Sequence, residues 1–329
     1  MHSAEACLTL HAASVCRPQA TQTVDDWLAA RAELLARPEM SVNRRLAGLL
    51  AAGDGRTPPL AARQARFRAE PEAAQRALAD RALGELLAGR GAALDACSLL
   101  LYTAASVDEH VLQAPVGWLA SRHGMSDRQH YALAQLEGAS MALAVDLIDA
   151  SLADGQAALL VAAEKWPQPF PRCVHDGAVL ADVGVALWLV RGAAPGLALL
   201  ASAQRSGTPF MRNIDSGLDT AALLDAASAL VRATLGEHGI APASIHGWLE
   251  AGPDAALEAP LRARCGVAPA YLGRPRSDDG YFCSAAGPAL CAAALDDIAA
   301  GVLADGALLV SWGASLSGAV GVCVWQVRA

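Results

Sequence analysis

The eight cysteines are the first residues whose chemistry could define a function. They are Cys7, Cys16, Cys97, Cys173, Cys265, Cys283, Cys291 and Cys323. They are widely spaced, form no CxxC pair and fall mostly in apolar stretches, which is typical of free buried thiols. We therefore expect small core-filling side chains, with neither a metal site nor a redox pair.

Two short clusters of acids and histidines could suggest metal binding or acid–base chemistry. Asp108, Glu109 and His110 are adjacent in the chain, and adjacent side chains on a turn point apart, so a structural turn is favoured. His175 and Asp176 precede a glycine, which favours a solvated turn. Neither cluster predicts a metal centre.

The charge pattern argues against nucleic acid and membrane as partners. The chain has 329 residues and a net charge of −8, and its 25 lysines and arginines are scattered, so no basic face is expected. The N-terminal sequence lacks the basic start of a secretory signal, which predicts a cytoplasmic protein. Residues 306–327 form an uncharged run of membrane-spanning length, but glycines and serines interrupt it. Two buried strands joined by a tight turn are the favoured interpretation.

Apolar runs of strand length alternate with amphipathic blocks of helix length, which is the pattern of an α/β fold. The predicted strands cover residues 7–10, 96–102, 157–162, 183–190, 197–203, 245–250 and 307–311. The predicted helices cover residues 24–35, 70–88, 115–123, 138–153, 219–238, 255–263 and 286–304. The pattern divides the chain into two similar halves, 1–191 and 192–329, with a surface excursion at residues 38–68.

Four segments, in chain order, resemble β-ketoacyl-ACP synthase III. They are TVDDWLAAR (Thr23 to Arg31), LLLYTAASVDEHVLQAPVGWLASRHGM (Leu99 to Met125), residues 131–166 with the later HDGAVLADVGVALWLV, and the stretch from IAPASIHGWLEAGPD through YFCSAAGPALC to the C-terminus. The resemblance covers about three quarters of the chain. It implies the thiolase fold, in which two pseudo-symmetric halves form five layers in the order α-β-α-β-α. It also implies a dimer interface at the edge of the first half's sheet.

The resemblance further implies which positions should catalyse condensation, and in this chain they are replaced. Glu137 occupies the position of the family's cysteine nucleophile, Ala251 that of its histidine and Phe282 that of its asparagine. A carboxylate cannot carry a transferable thioester, and methyl and phenyl groups cannot donate to an oxyanion. Neither Cys283 nor His246 lies close enough in sequence to restore the set. We therefore expect no condensation by this chain alone.

Alternatives stay open for several of these residues. Glu137 is the only catalytic candidate, as a general base or a mimic of a bound carboxylate, or else it is a relic with an internal hydrogen bond. Phe282 and Tyr281 could plug the emptied cavity. Trp27 and Arg31 match family positions that contact CoA or ACP at the mouth of the pantetheine tunnel. Alternatively, they are a buried anchor and a solvated arginine on one helix.

Three functions follow from this combination. The first is a non-catalytic subunit that pairs with an intact ketosynthase, as chain-length factors and the silent subunit of the alkylquinolone synthase do, in a heterodimer or heterotetramer of specialised metabolism. The second is a stand-alone acyltransferase or decarboxylase that uses Glu137 on an acyl thioester. The third is a protein that holds an acyl ligand without turnover. No resident cofactor is expected, because CoA or phosphopantetheine would enter as the carrier of the acyl substrate.

An acyl carrier protein is a further expected partner. Without a second kind of subunit, the chain would form a homodimer.

Overall fold

The computed structural model describes residues 7–37, 64, 66–88, 90–106, 114–166, 172–174, 178–210, 218–276 and 279–329. Its strands are β1 (Leu8–Cys16), β2 (Thr21–Thr23), β3 (Arg66–Arg68), β4 (Cys97–Ala104), β5 (Gln129–Ala134), β6 (Ala157–Glu164), β7 (Cys173–Val174), β8 (Ala178–Val179), β9 (Val183–Arg191), β10 (Gly196–Ser206), β11 (Ile245–Leu249), β12 (Tyr271–Gly273), β13 (Leu308–Ala314) and β14 (Ala319–Arg328). Its helices are α1 (Val24–Ala36), α2 (Gln75–Leu87), α3 (Pro115–Arg122), α4 (Ser140–Ser151), α5 (Thr220–Glu237), α6 (Glu258–Cys265) and α7 (Ala286–Ala299).

Ten strands form one sheet in the order β12, β11, β13, β14, β10, β1, β9, β6, β4, β5. Outward from the centre, the strands of one half follow in the order β1, β9, β6, β4, β5, and those of the other in the order β10, β14, β13, β11, β12. In each half the first two pairings of neighbouring strands are antiparallel and the next two are parallel. Only Thr9 and Leu10 of β1 pair with β10 across the centre. The two halves are therefore pseudo-symmetric, as predicted.

The helices lie in three layers around the two halves of the sheet. Because successive strand residues point to opposite faces, Leu99 enters the central apolar cluster with α4 and α7, whereas Leu100 faces α2 and α3. In the second half Leu309 enters the central cluster and Val310 faces α5 and α6. The architecture is thus the predicted five-layered α-β-α-β-α arrangement.

The uncharged run at residues 306–327 forms β13 and most of β14, which pair antiparallel. The turn between them contains Gly318 at a φ of 105°, a conformation that favours glycine. The prediction of two buried strands is therefore confirmed. No described helix combines the length and apolar character needed to cross a membrane.

Every strand and helix predicted from the apolar runs corresponds to an observed element. The helix predicted from residue 70 begins instead at Gln75, because the Glu70 carboxylate accepts the N–H of Ala73 at 3.1 Å and holds a turn there. The helix predicted to residue 304 ends at Ala299, and Gly301 then turns the chain with a φ of 73°. Of the predicted excursion, residues 38–63 and 65 lie outside the described residues, and β3 at its end pairs with β2.

Candidate functional site

The turn that carries Glu137 joins β5 to α4. Gln135 and Glu137 have φ values of 64° and 46°, and a 3-10 turn at Glu137–Ala139 then leads into the helix. Left-handed backbone at non-glycine residues is uncommon and clusters at functional sites. The predicted strand, turn and helix are therefore present, with Glu137 at the tight point.

Two glycines allow this turn to lie directly against β13. A Cβ on Gly313 would come within 2.0 Å of the Gly138 carbonyl oxygen, and a Cβ on Gly138 would meet the Tyr281 hydroxyl at 3.0 Å. Side chains at these positions would push the turn away from the strand. The close contact between turn and strand therefore depends on glycine at both positions.

The Glu137 side chain points back into the fold. Its Oε2 accepts the backbone N–H of Leu316 at 2.9 Å, in the turn that follows β13. Burial raises the pKa of this carboxyl and the nearby charge of Glu164 adds to the rise, while hydrogen bonds from Leu316 and Ser315 oppose it. The internal hydrogen bond considered for a relic carboxylate is thus present.

Ala251 and Phe282, the other two positions that the resemblance assigns to catalysis, lie next to secondary-structure elements. Ala251 is buried just after β11, and Phe282 is buried just before the 3-10 turn Cys283–Ala285 that leads into α7. That turn contacts the Glu137 turn, and Cys283 within it has a φ of 50°. The fold therefore brings together the regions of Glu137 and Phe282.

Ala251 and Phe282 also line a cavity of about 280 Å³, whose other walls are the end of β1 and one face of α7. We call it the side cavity. Tyr281 lines it too, while Glu137 is not among its lining residues. Phe282 and Tyr281 thus occupy part of the space at the expected histidine and asparagine positions, but a cavity remains beside them.

Glu164, at the end of β6, has no counterpart in the sequence-based predictions. It is fully buried and accepts the backbone N–H groups of Ala105, Ser106 and Ser284 at 2.8, 2.9 and 3.1 Å. It also accepts the hydroxyl groups of both serines. Burial raises its pKa against these donors. Glu164 ties the end of β4 to the turn behind Phe282, and the only sequence signal was an acid closing an apolar strand.

Glu258, the first residue of α6, is a second buried acid absent from the predictions. Its Oε2 accepts the indole N–H groups of Trp248 and Trp312 at 2.8 and 2.9 Å, and its Oε1 accepts the N–H of Gly252 at 3.0 Å. Burial raises its pKa to about 7, against the effect of these donors. Glu258 thereby fixes the loop that carries Ala251.

The hydroxyl of Tyr281 lies close enough to Glu137, Glu164 and Glu258 for their charges to act on it. It is buried and has no hydrogen-bond partner among the described residues. Burial raises its pKa well above the ordinary value, and the charges of Cys283, Glu137, Glu164 and Glu258 raise it further. The interior of the site is therefore unfavourable for an anion and suits neutral groups.

The predicted tunnel-mouth residues lie on α1. Trp27 is buried in the central cluster at 2% exposure, and the Arg31 guanidinium lies 5.6 Å from the centre of its ring. Neither residue lines the side cavity. This placement agrees with the alternative of a tryptophan anchor, and contact of the pair with CoA or ACP stays a prediction.

Seven cysteines of the described residues are free, and five of them are buried: Cys97, Cys265, Cys283, Cys291 and Cys323. Burial raises the pKa of each of these thiols, that of Cys265 to about 11, so they are protonated at neutral pH. Within the described part of the chain, no three His, Cys, Asp or Glu side chains are placed to hold a metal ion. The predicted turn residues Asp108, Glu109, His110, His175 and Asp176 lie outside that part.

No family model and no curated protein matches this sequence. Solved structures do match the fold. ChlB3, an acyltransferase, matches with a TM-score of 0.74 at 17% identity over 98% of each chain. The 3-oxoacyl-(acyl carrier protein) synthase III FabH from Pseudomonas aeruginosa PAO1 matches with 0.68 at 20% identity over 98% of this chain and 99% of its own. A variant of OleA from Xanthomonas campestris with bound lauric acid and lauroyl-CoA matches with 0.68 at 14% identity over 97% and 99%. Identities this low establish architecture and not activity. The chain therefore has the fold of these proteins, the thiolase fold.

Proposed function

We propose that this chain is a non-catalytic ketosynthase III-like subunit that pairs with a catalytically intact ketosynthase. The pair would act as an acyltransferase or condensing enzyme on acyl-CoA or acyl-ACP thioesters. The observation that carries the proposal is the identity of the three residues at the positions where the family has its catalytic residues. Glu137, Ala251 and Phe282 supply neither a thiolate nor the two oxyanion donors that condensation needs.

The size of the expected loss of reaction rate supports a non-catalytic role for this chain. Removing one oxyanion donor typically costs about 10²- to 10³-fold in rate, and here the nucleophile is absent as well. The remaining acids do not compensate, because Glu137, Glu164 and Glu258 each already accept hydrogen bonds from the protein. A partner that brings its own nucleophile would restore turnover.

An exposed apolar face supports the presence of a partner. Among the described residues, large exposed apolar side chains are Tyr131, Leu147, Leu200 and Val302, at 55, 39, 37 and 63% exposure. The first three lie on β5, α4 and β10, and α4 contacts both strands. We call Tyr131, Leu147 and Leu200 the apolar face. Its strand β5 is the edge of the first half's sheet, where the dimer interface is expected.

The test is co-expression with an intact ketosynthase III-type protein encoded beside this chain, followed by size-exclusion chromatography with mass detection and an acyl-CoA turnover assay on each species. We expect a 1:1 complex that alone turns over. Glu137→Ala in this chain should change the rate less than about twofold, while loss of the partner's nucleophilic cysteine should abolish it. Absence of a complex, or turnover by this chain alone, would contradict the proposal.

A second candidate is a stand-alone acyl-thioester acyltransferase or decarboxylase that uses Glu137. The left-handed turn and the raised pKa of the Glu137 carboxyl favour it, since both are common at active sites. If this second function is correct, the isolated chain turns over an acyl thioester, and Glu137→Ala abolishes that turnover. Glu33→Ala, an exposed glutamate on α1, is the matched control and should leave the rate unchanged.

A further inference from the structure

The side cavity has one apolar wall made by a single face of α7. Ala286, Ala289, Leu290 and Ala293 recur at helical spacing along this wall. The buried residues Phe282 and Ala251 line it as well. Small side chains on this wall and an aromatic ring in the lining leave space for a compact apolar group.

Charged side chains of both signs also line the side cavity, and the exposed Arg274 and Arg276 mark its solvent side, which we call the mouth. Arg17 pairs with Asp279 at 3.1 Å, and Arg274 pairs with Glu250 at 2.8 Å. Arg276 is exposed and makes no ion pair with a described residue. Glu250 also pairs with Arg262 at 2.6 Å, and Asp279 with Arg68 at 3.9 Å, so both carboxylates are neutralised by the protein. The exposed Arg276 can therefore pair with one carboxylate of a ligand.

We propose that the side cavity is a binding site for a small apolar monocarboxylate, with its apolar body against α7 and Phe282 and its carboxylate at the mouth near Arg276. The volume sets the size of this ligand. An apolar cavity of about 150 Å³ holds benzene, so about 280 Å³ has room for roughly a dozen non-hydrogen atoms. An aryl ring can also pack edge-to-face on Phe282.

The location keeps this site separate from the proposed partner. The apolar face is built on β5, α4 and β10, whereas the side cavity is built on β1, α7 and the loop after β12. These two sets of elements correspond under the pseudo-symmetry of the sheet. The ligand could therefore enter while a partner is bound, and the inference does not rest on the proposed function.

The test is isothermal titration of the full chain with 3-phenylpropanoate. We expect saturable binding at one site per chain. Ala289→Leu fills the wall and should weaken binding at least tenfold, whereas Ala300→Leu, an exposed alanine just beyond α7, should leave it unchanged. Should Ala289→Leu fail to fold, a series from acetate to 5-phenylpentanoate on the unaltered chain gives a second measure, with affinity highest at intermediate length.

The charge is tested separately. 3-Phenylpropanamide lacks the negative charge and should bind more weakly than the acid, and Arg276→Ala should bring the two affinities together. Absence of saturable binding, equal binding by Ala289→Leu, or tighter binding of inorganic phosphate would overturn the proposal. Chromatography of the co-expressed pair tests the proposed function independently, so a failure of either is recognised without affecting the other.

Discussion

Two buried glutamates, Glu164 and Glu258, and the half-buried Glu137 determine the character of the candidate site at the scale of single residues. Each accepts N–H groups from segments that are distant in sequence: Leu316 for Glu137, Ser284 for Glu164 and Trp312 for Glu258. A buried carboxyl held in this way is costly to lose, because its donors would be left unpaired. These acids therefore fix the loops around the site whether or not the site has chemistry.

Glu258 predicts a pH dependence of stability. Its folded pKa of about 7 lies above the ordinary 4.5, so the native state binds more protons than the unfolded state between these values. Stability from this group is fully present below about pH 4.5 and is lost as the pH rises through 7. We expect the wild type to lose on the order of 2 to 3 kcal/mol relative to Glu258→Gln between pH 5 and 8, measured by urea unfolding.

The control is Glu237→Gln, since this glutamate is exposed at the end of α5. Its free energy of unfolding should follow the wild type at both pH values. If the difference between Glu258→Gln and the wild type were the same at pH 5 and pH 8, Glu258 would not titrate in this range.

Only one of these three glutamates could be identified from the sequence alone. Glu137 was found because its position follows from a motif at a strand-to-helix turn. Glu164 and Glu258 were missed, because their donors come from residues up to 120 positions away and no local pattern marks them. The hydrogen-bonding role of such a buried acid can be recognised only in the folded structure, where its donors come together.

At the scale of elements, the edge strand β5 stands out because its exposed side chains include neither a proline nor any acid, lysine or arginine. Its sequence, QHYALA, contains no acid, lysine, arginine or proline, and most of its side chains are exposed. Among the described strands it pairs only with β4. Natural sheet edges are usually protected by charge or proline, so an unprotected edge favours pairing with another chain.

A charge on this edge should prevent assembly. Tyr131→Asp places a carboxylate in the middle of β5, where a partner strand would bury it, and we expect loss of the 1:1 complex in size-exclusion chromatography. Because Tyr131 is exposed, the thermal midpoint of the isolated chain should change little.

The matched control is Val302→Asp, which adds the same charge at an exposed apolar residue away from the apolar face. It should leave the complex intact. A complex that survives Tyr131→Asp would place the interface elsewhere.

The long elements were predicted well from sequence because their apolar residues repeat at strand or helix spacing. β5 has no such apolar run and was indicated only by the family resemblance. The side cavity could not be predicted, because its walls come from β1, from the segments that follow β11 and β12, and from α7, and no pattern along the chain relates them.

At the scale of the whole molecule, the two halves share one interior. The central cluster contains Leu101 and Leu160 from the first half and Leu249, Leu309 and Trp325 from the second. Each fully buried side chain of this size contributes roughly 1.5–3 kcal/mol. Separation of the halves would expose this surface on both.

We therefore propose that the division after Arg191 marks two halves of one folding unit. Residues 1–191 and 192–329, expressed separately, should show no cooperative unfolding by circular dichroism and should bind a hydrophobic dye. Co-expression of the two pieces, as the control, should recover the complete fold. A cooperative transition in either piece alone would show independent domains.

The two edges of the ten-stranded sheet are unequal, and this limits how far an assembly can grow. One edge is the six-residue β5, and the other is the three-residue β12, which is followed by exposed Arg274 and Pro275. Proline has no N–H to offer a further strand, and a short charged edge gives little to pair with. We therefore expect strand addition on the β5 side only, so that association through the sheet would end at a closed pair and would not continue into a filament.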